Sequence, residues 1–183
     1  MTYPCLRNTL RQSTSDAHSR VDALVGGGFA DRAAYRHYLR GMHGFLAASR
    51  AALGHQGALE PLQVALLDDM RMLDVRPLPD VVHHGPRLND EAARLGWTYV
   101  LAGASVGARP LMRQAQLLGY GGGSGADFLQ RFARSPMWGD VLSRLDAATL
   151  DPEQAGRCRD AAVAAFAAAE AAFHRARNED FND

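Results

Sequence analysis

Apolar residues recur along this chain at intervals of three, four and seven, the spacing of helices that bury one face. Tyr35, Tyr38, Leu39, Met42, Phe45 and Leu46 set the rhythm of a helix capped by Asp31 and running to about residue 53. Leu62, Val64, Leu66, Leu67 and Met70 set that of another over 59–73, after a turn at 54–57. A first helix over 4–24 starts at Pro4 and is stopped by Gly26-Gly27-Gly28, whose backbone entropy no helix can hold. Asn89 is the expected N-cap of a long helix to about 118, with Asp90 and Glu91 favouring its positive end. A glycine-rich loop over 119–125 leads to a short helix over 127–134. Ser135 caps, and Pro136 opens, a helix to about 148; Asp151-Pro152-Glu153 then opens a last long helix to about 177. Residues 75–86 hold three of the eight prolines and read as a connector. No stretch alternates with period two. The expectation is an all-α, single-domain bundle of six to eight helices over residues 1–183, with a frayed tail at 178–183.

Composition narrows the classes. The 183 residues are 47% hydrophobic and 22% charged, with a formal net charge of zero. That describes a globular chain and argues against a general nucleic-acid or membrane-surface binder, while permitting a local basic patch. Cys5 and Cys158 have no paired spacing, so no disulfide framework, zinc ribbon or covalent haem attachment is expected. Two thiols, no export signal and no apolar run long enough to span a bilayer predict a cytoplasmic protein.

At about 100° per residue, Arg7, Arg11, His18 and Asp22 share a narrow wedge of the first helix, bordered by Thr14 and Val21. A carboxylate four residues after a histidine can accept its Nδ1–H and leave Nε2 as a free lone pair, as a metal-ligating histidine needs. The plainer reading is a solvated charged face. In the fourth helix Gly96, Gly103 and Gly107 fall on one face. Three interior glycines cost about 3 kcal/mol relative to alanine, so backbone there must approach something closely. That something is another helix or a flat ligand; Pro110 is expected to kink the rod. Phe166 and Phe173, seven apart in the last helix, form a core-facing or ligand-facing stripe. His37 and His43 carry no assignment, and His83-His84, being adjacent, cannot share a face. Dinucleotide, P-loop, HExxH, serine-elbow and di-iron signatures are absent.

One imidazole is too few ligands for a bare metal ion but enough for a metal that brings the rest in a cofactor, as haem does. At this point the residues meet a known pattern. Leu10-x-x-x-Thr14-x-x-x-His18-x-x-x-Asp22 resembles the proximal helix of the biliverdin-producing haem oxygenases, bacterial type. The segment from Gly96-Trp97-Thr98 to Ala104-Ser105-Val106-Gly107 resembles their distal helix. Their order and separation match, as does the Asp151-Pro152 start of the last helix. The resemblance implies a bundle in which haem b lies between the first helix and the kinked glycine-rich helix. It makes His18 the iron ligand with Asp22 as its acidic partner, Arg11 a propionate contact, and Thr14 a further cofactor-binding residue. Gly103 and Gly107 become the distal glycines, and Phe166 and Phe173 pocket-lining aromatics.

Two positions depart from the family. Animal-type members carry an aspartate just after the first distal glycine; here that position is Ala104, and Ser105, the nearest polar neighbour, joins Gly103 and Gly107 as the expected catalytic residues. The basic positions before the last helix are only partly matched, with Arg144 nearby. The implied reaction opens haem to biliverdin, carbon monoxide and ferrous iron, using O2. Because the sequence has no flavin or iron–sulfur site, the electrons come from a ferredoxin or a reductase, and a bacteriophytochrome is a candidate acceptor of the pigment. Two other readings stay open here: a haem-binding or carrier relative with weak turnover, and a non-haem helical interaction module.

Overall fold

The computed structural model describes residues 6–54, 57–79 and 87–178. These form seven helices: α1 (Leu6–Val25), α2 (Arg32–Leu53), α3 (Glu60–Met72), α4 (Glu91–Leu117), α5 (Asp127–Ala133), α6 (Met137–Ala147) and α7 (Pro152–Asn178). There is no strand among the described residues, and no helix is long and apolar enough to cross a membrane. Pro4, Cys5, the His83-His84 pair and residues 179–183 lie outside the described residues.

Helix ends follow side-chain chemistry. Asp31 accepts the Ala34 N–H at 2.8 Å, as expected of a cap. The expected Asn89 cap of α4 is instead Asp90, whose Oδ2 accepts the Ala93 N–H at 2.8 Å, so the helix begins one residue later. At α7 the Asp151 carboxylate accepts the Gln154 N–H, and the Gln154 side chain accepts the Asp151 N–H in return. This reciprocal pair satisfies two donors that the helix cannot. Ser135 accepts from the Met137 N–H at 3.2 Å. In the α1–α2 turn Gly26, Gly27 and Gly28 all have positive φ, at 75°, 66° and 144°, which side-chain-bearing residues resist.

Helix α7 is the axis, with α1, α2 and α4 packed around it. Its alanines explain why: Ala161, Ala162, Ala165, Ala169, Ala172 and Ala176 are buried, and small side chains let three helices approach one rod. The neighbours answer with glycine. A Cβ on Gly44 of α2 would meet that of Ala172 at 2.9 Å, and one on Gly96 of α4 would collide with the Cys158 backbone carbonyl. Aromatic and leucine side chains fill the rest, with Tyr35, Phe45, Leu66, Leu101, Phe128 and Phe132 fully buried. Several polar groups inside are paired. Trp97 Nε1 donates to Ser49 Oγ at 3.1 Å, and Tyr35 donates to the Gly125 carbonyl at 2.7 Å. Asp69 of α3 accepts the N–H groups of Asp127 and Phe128, capping α5 from outside its own sequence.

Candidate functional site

The wedge on α1 is built as its spacing predicts. His18 Nδ1 stands 3.0 Å from Asp22 Oδ2, one turn on, and the two side chains are 63% and 65% exposed. An exposed pair of this kind contributes little to stability. Its consequence is orientation: the imidazole is fixed with Nδ1 occupied and Nε2 available. Phe166 of α7 supports the ring edge-on, with centroids 5.8 Å apart at 72°. Arg20 Nε, bonded to Glu170 at 3.1 Å, ties the same stretch of α1 to α7. Thr14 is buried, and its hydroxyl donates to the Leu10 carbonyl at 2.8 Å. It therefore lies against the core beneath the wedge, not on its open side.

On α4 the three glycines separate into two roles. Gly96 is a packing glycine, set against the α7 backbone. A Cβ on Gly103 would have only the Trp138 ring within 4 Å, at 3.7 Å, and one on Gly107 would meet nothing. So α7 closes on α4 at Gly96, and the same face is open one and two turns after Tyr99. Helix α4 continues through Pro110, which leaves the Val106 carbonyl without its intrahelical donor.

Tyr99 shows which way this stripe looks. It precedes Gly103 by one turn, and its ring lies 5.5 Å from that of Trp138 of α6. Burial raises its pKa, and the charges of Arg7 and Arg11 pull it back down. The two guanidinium groups of α1 therefore lie near a phenol on the glycine stripe of α4. Arg7 and Arg11 of the α1 wedge thus act on Tyr99, which stands one turn before Gly103 on the open part of α4. Helices α1 and α4 are not packed on one another there; both rest on α7 and α6.

Three expected residues fall elsewhere. Ser105 is two residues, about 200°, around the helix from Gly103. It is 2% exposed, and its hydroxyl donates to the Ala102 carbonyl at 2.6 Å, so it faces the core. Phe173 leans over Gly41 of α2 and packs near Tyr38, at 6.1 Å, so only Phe166 of the pair supports His18. Arg144 lies beside Glu91 and Leu95, near the start of α4, two turns along α6 from Trp138. Conversely, the sequence reading missed Tyr99 and Trp138. The signal was present for Tyr99, which sits four residues before Gly103.

Among the described residues no three His, Cys, Asp or Glu side chains converge as a bare metal ion would require. A metal at His18 must bring ligands of its own.

No family model and no curated protein matches the sequence. Among solved structures the chain is similar to a haem oxygenase from Neisseria meningitidis, determined in NO- and CO-bound forms. The TM-score is 0.70 and the identity 21%, over 95% of this chain and 92% of that one. The helices described above thus have the all-α fold of that haem oxygenase.

Proposed function

We propose that the chain binds haem b in the gap between α1 and α4 and oxidatively opens it to biliverdin, carbon monoxide and ferrous iron. What carries this reading is an Asp22-held imidazole on α1 together with a stretch of α4 that has no side chain at Gly103 and Gly107 and open space before Gly107. The residues suit a flat, dianionic disc with its own nitrogen ligands. His18 Nε2 offers one lone pair, Gly107 offers backbone with open space before it, and Arg7, Arg11 and Tyr99 offer two cations and a phenol to carboxylates.

Haem, when bound, supplies both the redox-active iron and the carbon skeleton that is consumed. The protein's part is positional. Asp22 accepts the Nδ1–H and holds His18 in the tautomer whose Nε2 is free; an imidazole ligand donates less electron density than a thiolate would. Phe166 limits rotation of the ring. Gly103 and Gly107 admit a plane close to the α4 backbone, and Trp138 walls the gap beside Gly103. Arg11, Arg7 and Tyr99 define the end at which carboxylates are held. O2 is the co-substrate. The electrons come from a transient partner, a ferredoxin or a reductase, and a bacteriophytochrome is a candidate recipient of the pigment.

One observation favours a second reading, haem binding with weak turnover. Ala104 offers no proton-handling group, and Ser105 is turned to the core. Protons on that side would then travel through water held at the α4 backbone.

The test is a haem titration followed by addition of a ferredoxin system. A Soret band that forms and decays to a bile-pigment band supports the enzyme. A stable Soret band supports the carrier, and no Soret shift refutes both.

A further inference from the structure

A second cavity, of about 280 Å³, lies where the C-terminal turns of α1 and α7 meet the start of α2. Its lining includes Leu24, Ala34, Tyr38, Phe173 and Arg177, and none of His18, Gly103 or Gly107. A cavity of about 150 Å³ takes one benzene ring, so this one holds a single substituted ring. It is therefore not the gap proposed for haem.

The polar side chains of its lining are His37, Tyr38 and Arg177, donors or cations all. Tyr38 is 5% exposed and lines the cavity. Burial raises its pKa above the ordinary phenol range, so it stays a neutral donor. Arg177 is exposed at the rim and has no ion pair among the described residues. The Phe173 and Tyr38 rings, 6.1 Å apart, supply an aromatic wall, and Leu24 and Ala34 add aliphatic surface. A phenol donor and a guanidinium beside an aromatic wall are complementary to a carboxylate on a ring.

We infer that this cavity is a second, small-molecule site for a single-ring aromatic carboxylate, with Arg177 holding the carboxylate and Tyr38 donating a hydrogen bond. The inference does not depend on the haem reading.

The probe is benzoate, titrated into the full-length protein and followed by ligand-detected NMR, with neutral benzamide as control. We expect saturable binding with a Kd of about 1 mM or tighter, and benzamide about tenfold weaker. Arg177→Gln should weaken benzoate about tenfold and Tyr38→Phe a few-fold. Ala34→Phe, which fills the cavity from the α2 side, should abolish binding, with circular dichroism confirming the fold. Benzoate should bind equally with haem added. Failure to saturate, equal binding of benzamide, unaltered affinity in Arg177→Gln, or displacement by haem would each overturn the assignment. A protein that takes no haem still reports on this site, so the two proposals fail separately.

Discussion

His18 Nδ1 lies 3.0 Å from Asp22 Oδ2 across one turn of α1, and both side chains remain in solvent. The pair adds little to stability, so its variants separate fold from ligation. We expect His18→Ala to unfold within about 0.5 kcal/mol of the parent while losing the Soret shift on haem addition. Asp22→Ala should keep the ligand and weaken haem affinity about tenfold or more, because the imidazole loses its fixed tautomer. Urea denaturation and haem titration read the two effects; retention of the Soret shift in His18→Ala would remove the ligand assignment.

The glycines of α4 should respond with opposite signs. Gly96→Ala drives a methyl into the Cys158 carbonyl, which is backbone and cannot swing aside, so a loss of about 1–3 kcal/mol is expected. Gly107→Ala meets open space and should gain up to about 1 kcal/mol from helix propensity. Chemical denaturation of the two variants decides it.

Gly103→Leu extends a side chain past Trp138 into the gap. The helix should remain, while haem binding or turnover falls at least about tenfold. Undiminished pigment formation in this variant would show that α4 does not cover the haem.

Ser49→Ala leaves the buried Trp97 N–H without its acceptor at 3.1 Å. The expected cost is about 1–3 kcal/mol, the penalty for an unpaired buried donor. Ser49→Thr, which retains the oxygen, should recover part of it.

Asp69 gives a pH dependence. Burial raises its pKa, against the lowering by the N–H bonds from Phe128 and Asp127. The folded state therefore holds this proton up to a higher pH than the unfolded state, whose carboxyl titrates near the ordinary value of about 3.9. Its linkage contribution to stability is fully present below that value and declines as pH rises to the raised folded pKa. Asp69→Asn should remove this segment from a plot of stability against pH; an unchanged plot would show that Asp69 titrates normally.

Much of this molecule was legible one residue at a time. Helix periods, the stop at Gly26–Gly28, the caps at Asp31 and Asp151, and the His18–Asp22 turn rest on interactions within a few residues, where chain geometry fixes who meets whom. Even the displacement of Ser105 follows from about 200° of helical rotation relative to Gly103, and the place of Tyr99 from a four-residue step.

Other features depended on a partner distant in sequence. Gly96, Gly103 and Gly107 share one face, yet only the crossing of α7 decides that the first is packed and the others open. Phe166 and Phe173 share a face too, but the first meets His18 of α1 and the second Gly41 of α2. The capping of α5 by Asp69, and the cavity beside Tyr38, likewise require knowing which helices lie side by side. Sequence determined the faces, because a helix repeats every 3.6 residues whatever surrounds it. Tertiary structure decided what each face meets, because that depends on how rods of given width pack around an alanine-lined axis.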